Sequence, residues 1–134
     1  MSRLTIPKHL FVIAMAVMLT VMSACAKHVD QSEIAGTYEA HHQNGSEILQ
    51  LRSNGLYVHE FKAANGVVST NSNRWRFEPF NDESKVALYN FTSHFPVSSK
   101  RGDIVLLDAA KDWRRVRLYI SYDLDQYYKK VSDE

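Results

Sequence analysis

Apolar and polar residues alternate along most of this chain in short runs, and Asn, Asp, Gly and Ser interrupt the runs at roughly eight-to-twelve-residue intervals. The first runs are Thr37 to His42, Glu47 to Leu51, Leu56 to Phe61 and Val67 to Thr70. Gln43-Asn44-Gly45, Ser53-Asn54-Gly55 and Ala64-Asn65-Gly66 separate them. Asn-Gly readily takes the left-handed backbone of a tight hairpin, so these turns predict an antiparallel meander. Arg74 to Glu78 continues the pattern, with Trp75 and Phe77 on one face. Pro79 has no N–H for a sheet ladder, so it ends that strand or puts it at an edge. Lys85 to Phe91, Ile104 to Leu107, Arg115 to Tyr122 and Gln126 to Val131 follow. Turns are expected at Asn81 to Ser84, Ala109 to Asp112 and Asp123 to Asp125, and a long loop at Thr92 to Asp103. In Arg115 to Tyr122, Val116, Leu118 and Ile120 take the inward parity. The expected fold is all-β: a small antiparallel meander of about 8–9 strands forming a barrel or a sandwich. Closure into a barrel leaves no exposed edge.

The amino terminus breaks the alternation. Leu10 to Met22 is an almost unbroken apolar run. It is shorter than the roughly 18–20 residues that cross a bilayer as a helix. Arg3, Lys8 and His9 precede it, and Ser23 and Ala24 follow. A basic start, a short apolar middle and small closing residues make a secretory signal peptide. The next residue, Cys25, is the sole cysteine. Met22-Ser23-Ala24-Cys25 resembles the lipobox of bacterial lipoproteins, with Met22 where that family usually has Leu. The resemblance implies cleavage before Cys25, diacylation of its sulfur and a membrane partner reached through that lipid. It also implies a bacterial cell-envelope location, and Ala26 (not Asp) points to the outer membrane, facing the periplasm. The expected organisation is a signal peptide at 1–24, a lipidated cysteine and tether at 25–35, and one β domain at 36–134. In the tether, Asp30 and Glu33 are spaced to cap a single helical turn.

Composition narrows the classes. The 134 residues are 45% hydrophobic and 23% charged, which suits a packed single domain and not a disordered chain. The formal charge of +1 gives no general attraction to nucleic acid. Without Arg3 and Lys8, 14 basic residues face 15 acidic ones, near −1. A lone cysteine forms no internal disulfide, so stability must come from the core.

Chemistry-bearing spacings are sparse. His41 and His42 are adjacent, so on a strand they face opposite sides. His59 and His94 complete no metal-ligand spacing with them, so no metal site is expected. Asp123 and Asp125 read as turn residues, as do Asp108 and Asp112. Gly-x-Ser-x-Gly, Ser-x-x-Lys and phosphate-loop patterns do not occur, so neither catalytic residues nor a cofactor is expected. Two candidate binding regions stand out. Trp113, Arg115, Arg117 and Tyr119 share one parity opposite Val116, Leu118 and Ile120. Arginine forks bind carboxylate or phosphate and stack on rings. Such a face meets head groups, glycans or a protein partner, forms cross-strand salt bridges, or turns inward to bind an anion. His94 and Phe95 lie in the long loop, as a binding lid or a mobile segment.

Gly36-Thr37-Tyr38 resembles the Gly-x-Trp motif on the first strand of the lipocalins and related calycin barrels. The resemblance implies an up-and-down barrel, with Arg115 or Arg117 packed against Tyr38. The expected function is non-enzymatic binding of a partner protein or a small amphiphilic ligand at the envelope. The alternatives are an interaction module without a small-molecule ligand and a periplasmic hydrolase. A core filled by Trp75, Phe77, Leu88, Leu118 and Ile120 would argue against an internal ligand cavity.

Overall fold

The computed structural model describes residues 28–97 and 99–134. The signal segment 1–24, Cys25 and the first tether residues lie outside the described residues. Among the described residues, a 3-10 turn, Gln31–Glu33, precedes eight strands. These are β1 (Gly36–His42), β2 (Gly45–Leu51), β3 (Leu56–Ala63), β4 (Val68–Phe80), β5 (Glu83–Thr92), β6 (Arg101–Asp112), β7 (Arg115–Ser121) and β8 (Gln126–Ser132). They pair antiparallel in chain order, and β8 returns to β1, closing the barrel.

Three boundaries differ from the sequence reading. Val67 to Thr70 and Arg74 to Glu78 fall on one strand, because β4 changes partner along its length. Its first half pairs with β3 through Leu56↔Arg74, and its second half with β5 from Trp75↔Leu88 onward. Pro79 sits in the second half, where β3 has already ended, so its missing N–H faces no neighbour there. Ala109 to Asp112 is not a turn: these residues continue β6 and pair with Arg115 to Leu118. The turn is Trp113-Arg114, and Trp113 adopts φ 57°. The loop after β5 shortens to residues 93–100, because Thr92 and Arg101 already pair.

Inward parity fills the barrel. Tyr38, Leu49, Leu51, Tyr57, Val86, Leu88, Leu107, Leu118 and Tyr128 are fully buried or nearly so, and Trp75 and Ile120 join them, with Phe77 packed against the cluster. Asn90, at φ 50°, breaks the alternation of β5, so Phe91 is buried as well as Leu88. An eight-stranded barrel is just wide enough for side chains to fill its interior.

The two ends differ. Residues 28–35 enter at the end that carries the β2–β3, β4–β5 and β6–β7 turns. Val29 and Ile34 are buried there, and the Ser84 hydroxyl donates to the Val29 carbonyl at 2.9 Å. Tyr38 donates its hydroxyl to Ile34 at 2.6 Å, and Lys130 donates to the Glu33 carbonyl at 2.6 Å. The opposite end carries the hairpin turns after β1, β3 and β7 and the 93–100 loop. Three seams are zipped only toward the first end. Backbone pairing of β1 with β8 covers Thr37 to Glu39, that of β4 with β5 starts at Trp75, and that of β6 with β7 stops at Asp108.

Candidate functional site

At the far end of the barrel, a carboxylate sits where an apolar side chain is usual. Glu47 shares the parity of Leu49 and Leu51 on β2, so the pleat points it inward, and it is fully buried. His42, in phase with Tyr38 and Ala40 on β1, brings its Nε2 to 2.8 Å from Glu47 Oε1. His59, in phase with Tyr57 on β3, brings Nε2 to 2.7 Å from Oε2. Tyr128 of β8 donates its hydroxyl to Oε2 at 2.6 Å. The backbone N–H of His94 completes the set, donating to Oε1 at 3.0 Å. An ionised carboxylate only accepts, so both imidazoles present an Nε2–H to it.

A buried carboxylate on its own favours the neutral form. Burial raises the Glu47 pKa, but the hydrogen bonds from His59, Tyr128 and His42, together with the charge of His59, outweigh it and hold Glu47 below its ordinary value. The Tyr128 phenol is pushed well above its ordinary value, first by burial and then by the Glu47 charge. The network ties β1, β2, β3, β8 and the loop to one side chain.

The loop residues singled out by sequence close this end. His94 stacks face to face on Phe61, ring centroids 3.9 Å apart, and its carbonyl accepts from Asn44 Nδ2 at 3.0 Å. Burial lowers the His94 pKa below its ordinary value, against a smaller upward pull from the Glu47 charge. Phe95 is buried against the His42 and Tyr128 rings, at 4.7 and 5.4 Å. His94 and Phe95 are thus a plug held from within.

Beside the plug, past the Glu39↔Lys129 pair that ends the β1–β8 register, lies a groove of about 540 Å³. Ala40, His42, Phe95, Pro96, Val97 and Tyr127 line it, with Glu39, Asp125 and Lys129 among its charged residues. Of these, His42 has a side chain only 7% exposed, and its Nδ1 is buried without a hydrogen-bond partner among the described residues. His41 points outward, 3.7 Å from Glu39.

The predicted arginine–aromatic stripe is divided by the β6–β7 turn. Arg117 and Tyr119 lie on the outer face of β7. Arg117 stands over the Tyr127 ring at 4.3 Å and pairs with Asp112, while Tyr119 stacks on Tyr122 at 4.0 Å. The arginine therefore packs on Tyr127, and Tyr38 is met instead by the Ile34 carbonyl. Arg115, the first residue of β7, shares the parity of Arg117 and Tyr119, so the turn sets apart only Trp113; both Trp113 and Arg115 are exposed at the barrel end through which the chain enters.

Chemically, Glu47 has both oxygens taken by donors, and its two histidines point their Nε2 atoms at it. Among the described residues, no group of three His, Cys, Asp or Glu side chains is arranged to hold a metal ion. Sequence reading passed over Glu47, His42, His59 and Tyr128 as a set, although strand parity alone places each of them inward. A scan against family models, a search of curated proteins and a search of solved structures find no match to this chain.

Proposed function

We propose that this protein is a lipid-anchored bacterial envelope protein whose barrel is a non-enzymatic binding module. Cys25 carries the lipid, and the outer membrane, periplasmic side, is the expected site. The observation that carries the reading is the axial asymmetry of the barrel. The chain enters at one end, while the groove between β1 and β8 opens toward the other, beside a plug fixed by Glu47. An anchor at Cys25 then holds the groove away from the membrane surface. Side chains fill the interior, so a partner protein meeting the groove from outside is better supported than an amphiphile held within. The saturated Glu47 network supports a bracing role for His42 and His59 in preference to acid–base chemistry.

Two measurements test this. Palmitate labelling should be lost in Cys25→Ser, and persistent labelling would defeat the anchor. A photo-crosslinking residue placed at Val97, which is 74% exposed beside the groove, should trap a discrete adduct in living cells. The same residue at Thr70, exposed on β4, should not. Identical patterns at both positions, or no adduct at either, would overturn the binding role of the groove.

A further inference from the structure

The barrel end through which the chain enters carries a feature that the anchor alone does not require. The β6–β7 turn places Trp113 96% exposed at its tip, with φ 57°. Bulky residues seldom adopt positive φ, and turns of this kind are normally made by Asn and Gly. The sequence therefore spends an unfavourable backbone position on presenting an indole to solvent. Arg114 and Arg115 follow, both exposed. Neither forms an ion pair among the described residues, whereas Lys85, Lys111, Arg117 and Lys130 all do.

Next to the indole is a hollow of about 320 Å³ lined by Asp112, Trp113, Arg114, Arg115, Arg117 and Lys129. Four of these six are cationic, and the one carboxylate, Asp112, is engaged by Arg117. Glu39 is the cross-strand neighbour of Lys129, and Asp133, just past β8, is held by Lys130 at 2.7 Å. The hollow thus keeps a net positive lining after its internal pair is counted.

Its position relates it to the chain terminus. Lys111, two residues before Trp113, is ion-paired to Glu33 of the entering segment. Val29 is seated in the barrel end by Ser84. Cys25 lies four residues before Val29, a reach of at most about 14 Å. A lipid on Cys25 would keep this end within that distance of the bilayer surface.

We propose that Trp113, Arg114 and Arg115 dock this end of the barrel onto the phospholipid bilayer, with the hollow receiving a lipid phosphate. Indole rings settle at the membrane–water interface, and guanidinium forks pair with phosphate. The proposal rests on the anchor reading for its geometry and is separable from it by experiment. The full-length protein, isolated from producing cells, is reconstituted into vesicles of phosphatidylethanolamine and phosphatidylglycerol with brominated acyl chains. Trp113 is one of two tryptophans, and Trp75 is buried with its N–H donated to the Arg52 carbonyl at 2.8 Å. Wild-type emission should fall by about half through quenching of an interfacial Trp113. Trp113→Ala should lose that quenching, and Arg114→Gln with Arg115→Gln should reduce it, while circular dichroism stays unchanged. Quenching that survives in Trp113→Ala, or is absent in the wild type, overturns the docking. Inorganic phosphate without vesicles should leave the emission unchanged, and a matching spectral shift would assign the hollow to free phosphate and overturn the lipid. A protein that takes no palmitate but still shows Trp113 quenching on vesicles would sink the anchor and leave the docking standing.

Discussion

Replacing Glu47 with glutamine keeps the volume of the side chain and removes its charge and one acceptor. The carboxylate receives four donors, two on each oxygen. Glutamine keeps one acceptor oxygen and points an NH₂ group at the other two donors. A histidine can change tautomer and a phenol can rotate, but the backbone N–H of His94 has no alternative. Hydrogen bonds to charged groups contribute about 1.5–3 kcal/mol each. Breaking a buried charged cluster by removing one partner typically costs about 3–5 kcal/mol. That is a large share of the roughly 5–15 kcal/mol that holds a domain together. At roughly 4 °C per kcal/mol for a chain of this size, the melting temperature should fall by about 12–20 °C. Urea unfolding at pH 7, followed by circular dichroism, checks this, with an unchanged m-value showing that the same surface is exposed. Amide exchange at His94 should accelerate more than at Val86 in the barrel wall. Glu39→Gln is the control: Glu39 is partly exposed and only 3.7 Å from His41, so its loss should cost under about 0.5 kcal/mol. A change at Glu47 of less than about 1 kcal/mol would refute the reasoning, since buried ionic groups can be energetically replaceable by neutral isosteres.

Acid should loosen the far end in two stages. His94 is held below its ordinary value of 6.5, so the fold prefers the neutral ring and stability should decline as pH falls from about 6.5. The Glu47 carboxyl is also depressed, so its contribution is complete above about pH 4.5 and is lost as pH falls through the lower folded value. Urea midpoints measured from pH 7.5 to 3 should show both declines, and Glu47→Gln should abolish the second while leaving the first at least as large, since the Glu47 charge pulls the His94 value up. Tyr57 donates its hydroxyl to the Tyr89 carbonyl at 2.7 Å and accepts from Asn71 Nδ2 at 3.2 Å, across the unpaired part of the β4–β5 seam. Tyr57→Phe should therefore cost about 1–2 kcal/mol in the same denaturation assay. Burial pushes its phenol up to about 12, so ultraviolet titration should find Tyr57 among the late-ionising tyrosines.

The barrel was largely legible because its evidence is local. Asn-Gly turns and period-two alternation need no tertiary information. The inward choice of Val116, Leu118 and Ile120, and the shared face of Trp75 and Phe77, follow from the pleat. The misplaced elements are those where a partner strand decides. Val67 to Thr70 and Arg74 to Glu78 read as separate runs, but the polar stretch Asn71-Ser72-Asn73 between them is held extended because β3 pairs along it. Asp108 and Asp112 look like turn residues, yet β7 and β5 take them as strand. The same dependence hid the polar cluster. Parity places Glu47, His42, His59 and Tyr128 inside, but only barrel closure brings β8 beside β1 and lets one carboxylate collect four donors. Cys25 lies beyond the described residues, so its reading still rests on the Met22-Ser23-Ala24-Cys25 pattern.

The half-zipped seams give the polar cluster its physical meaning. In a uniformly paired barrel, backbone ladders resist opening along every seam. Here β1–β8, β4–β5 and β6–β7 have ladders only toward the end where the chain enters. At the far end, side chains take over two of these junctions. His42 and Tyr128 meet through Glu47 across β1–β8, and Tyr57 with Asn71 bridges to the Tyr89 and Asn90 carbonyls across β4–β5. Side-chain bridges open one at a time, and their strength depends on pH and on nearby ligands. A ladder opens only with the strand. Local opening should thus be cheapest at the far end, where the groove lies, and dearest at the end proposed to rest on the membrane. On the proposed binding role, that gradient would let a partner engage the β1–β8 groove at its most yielding end without unzipping the sheet.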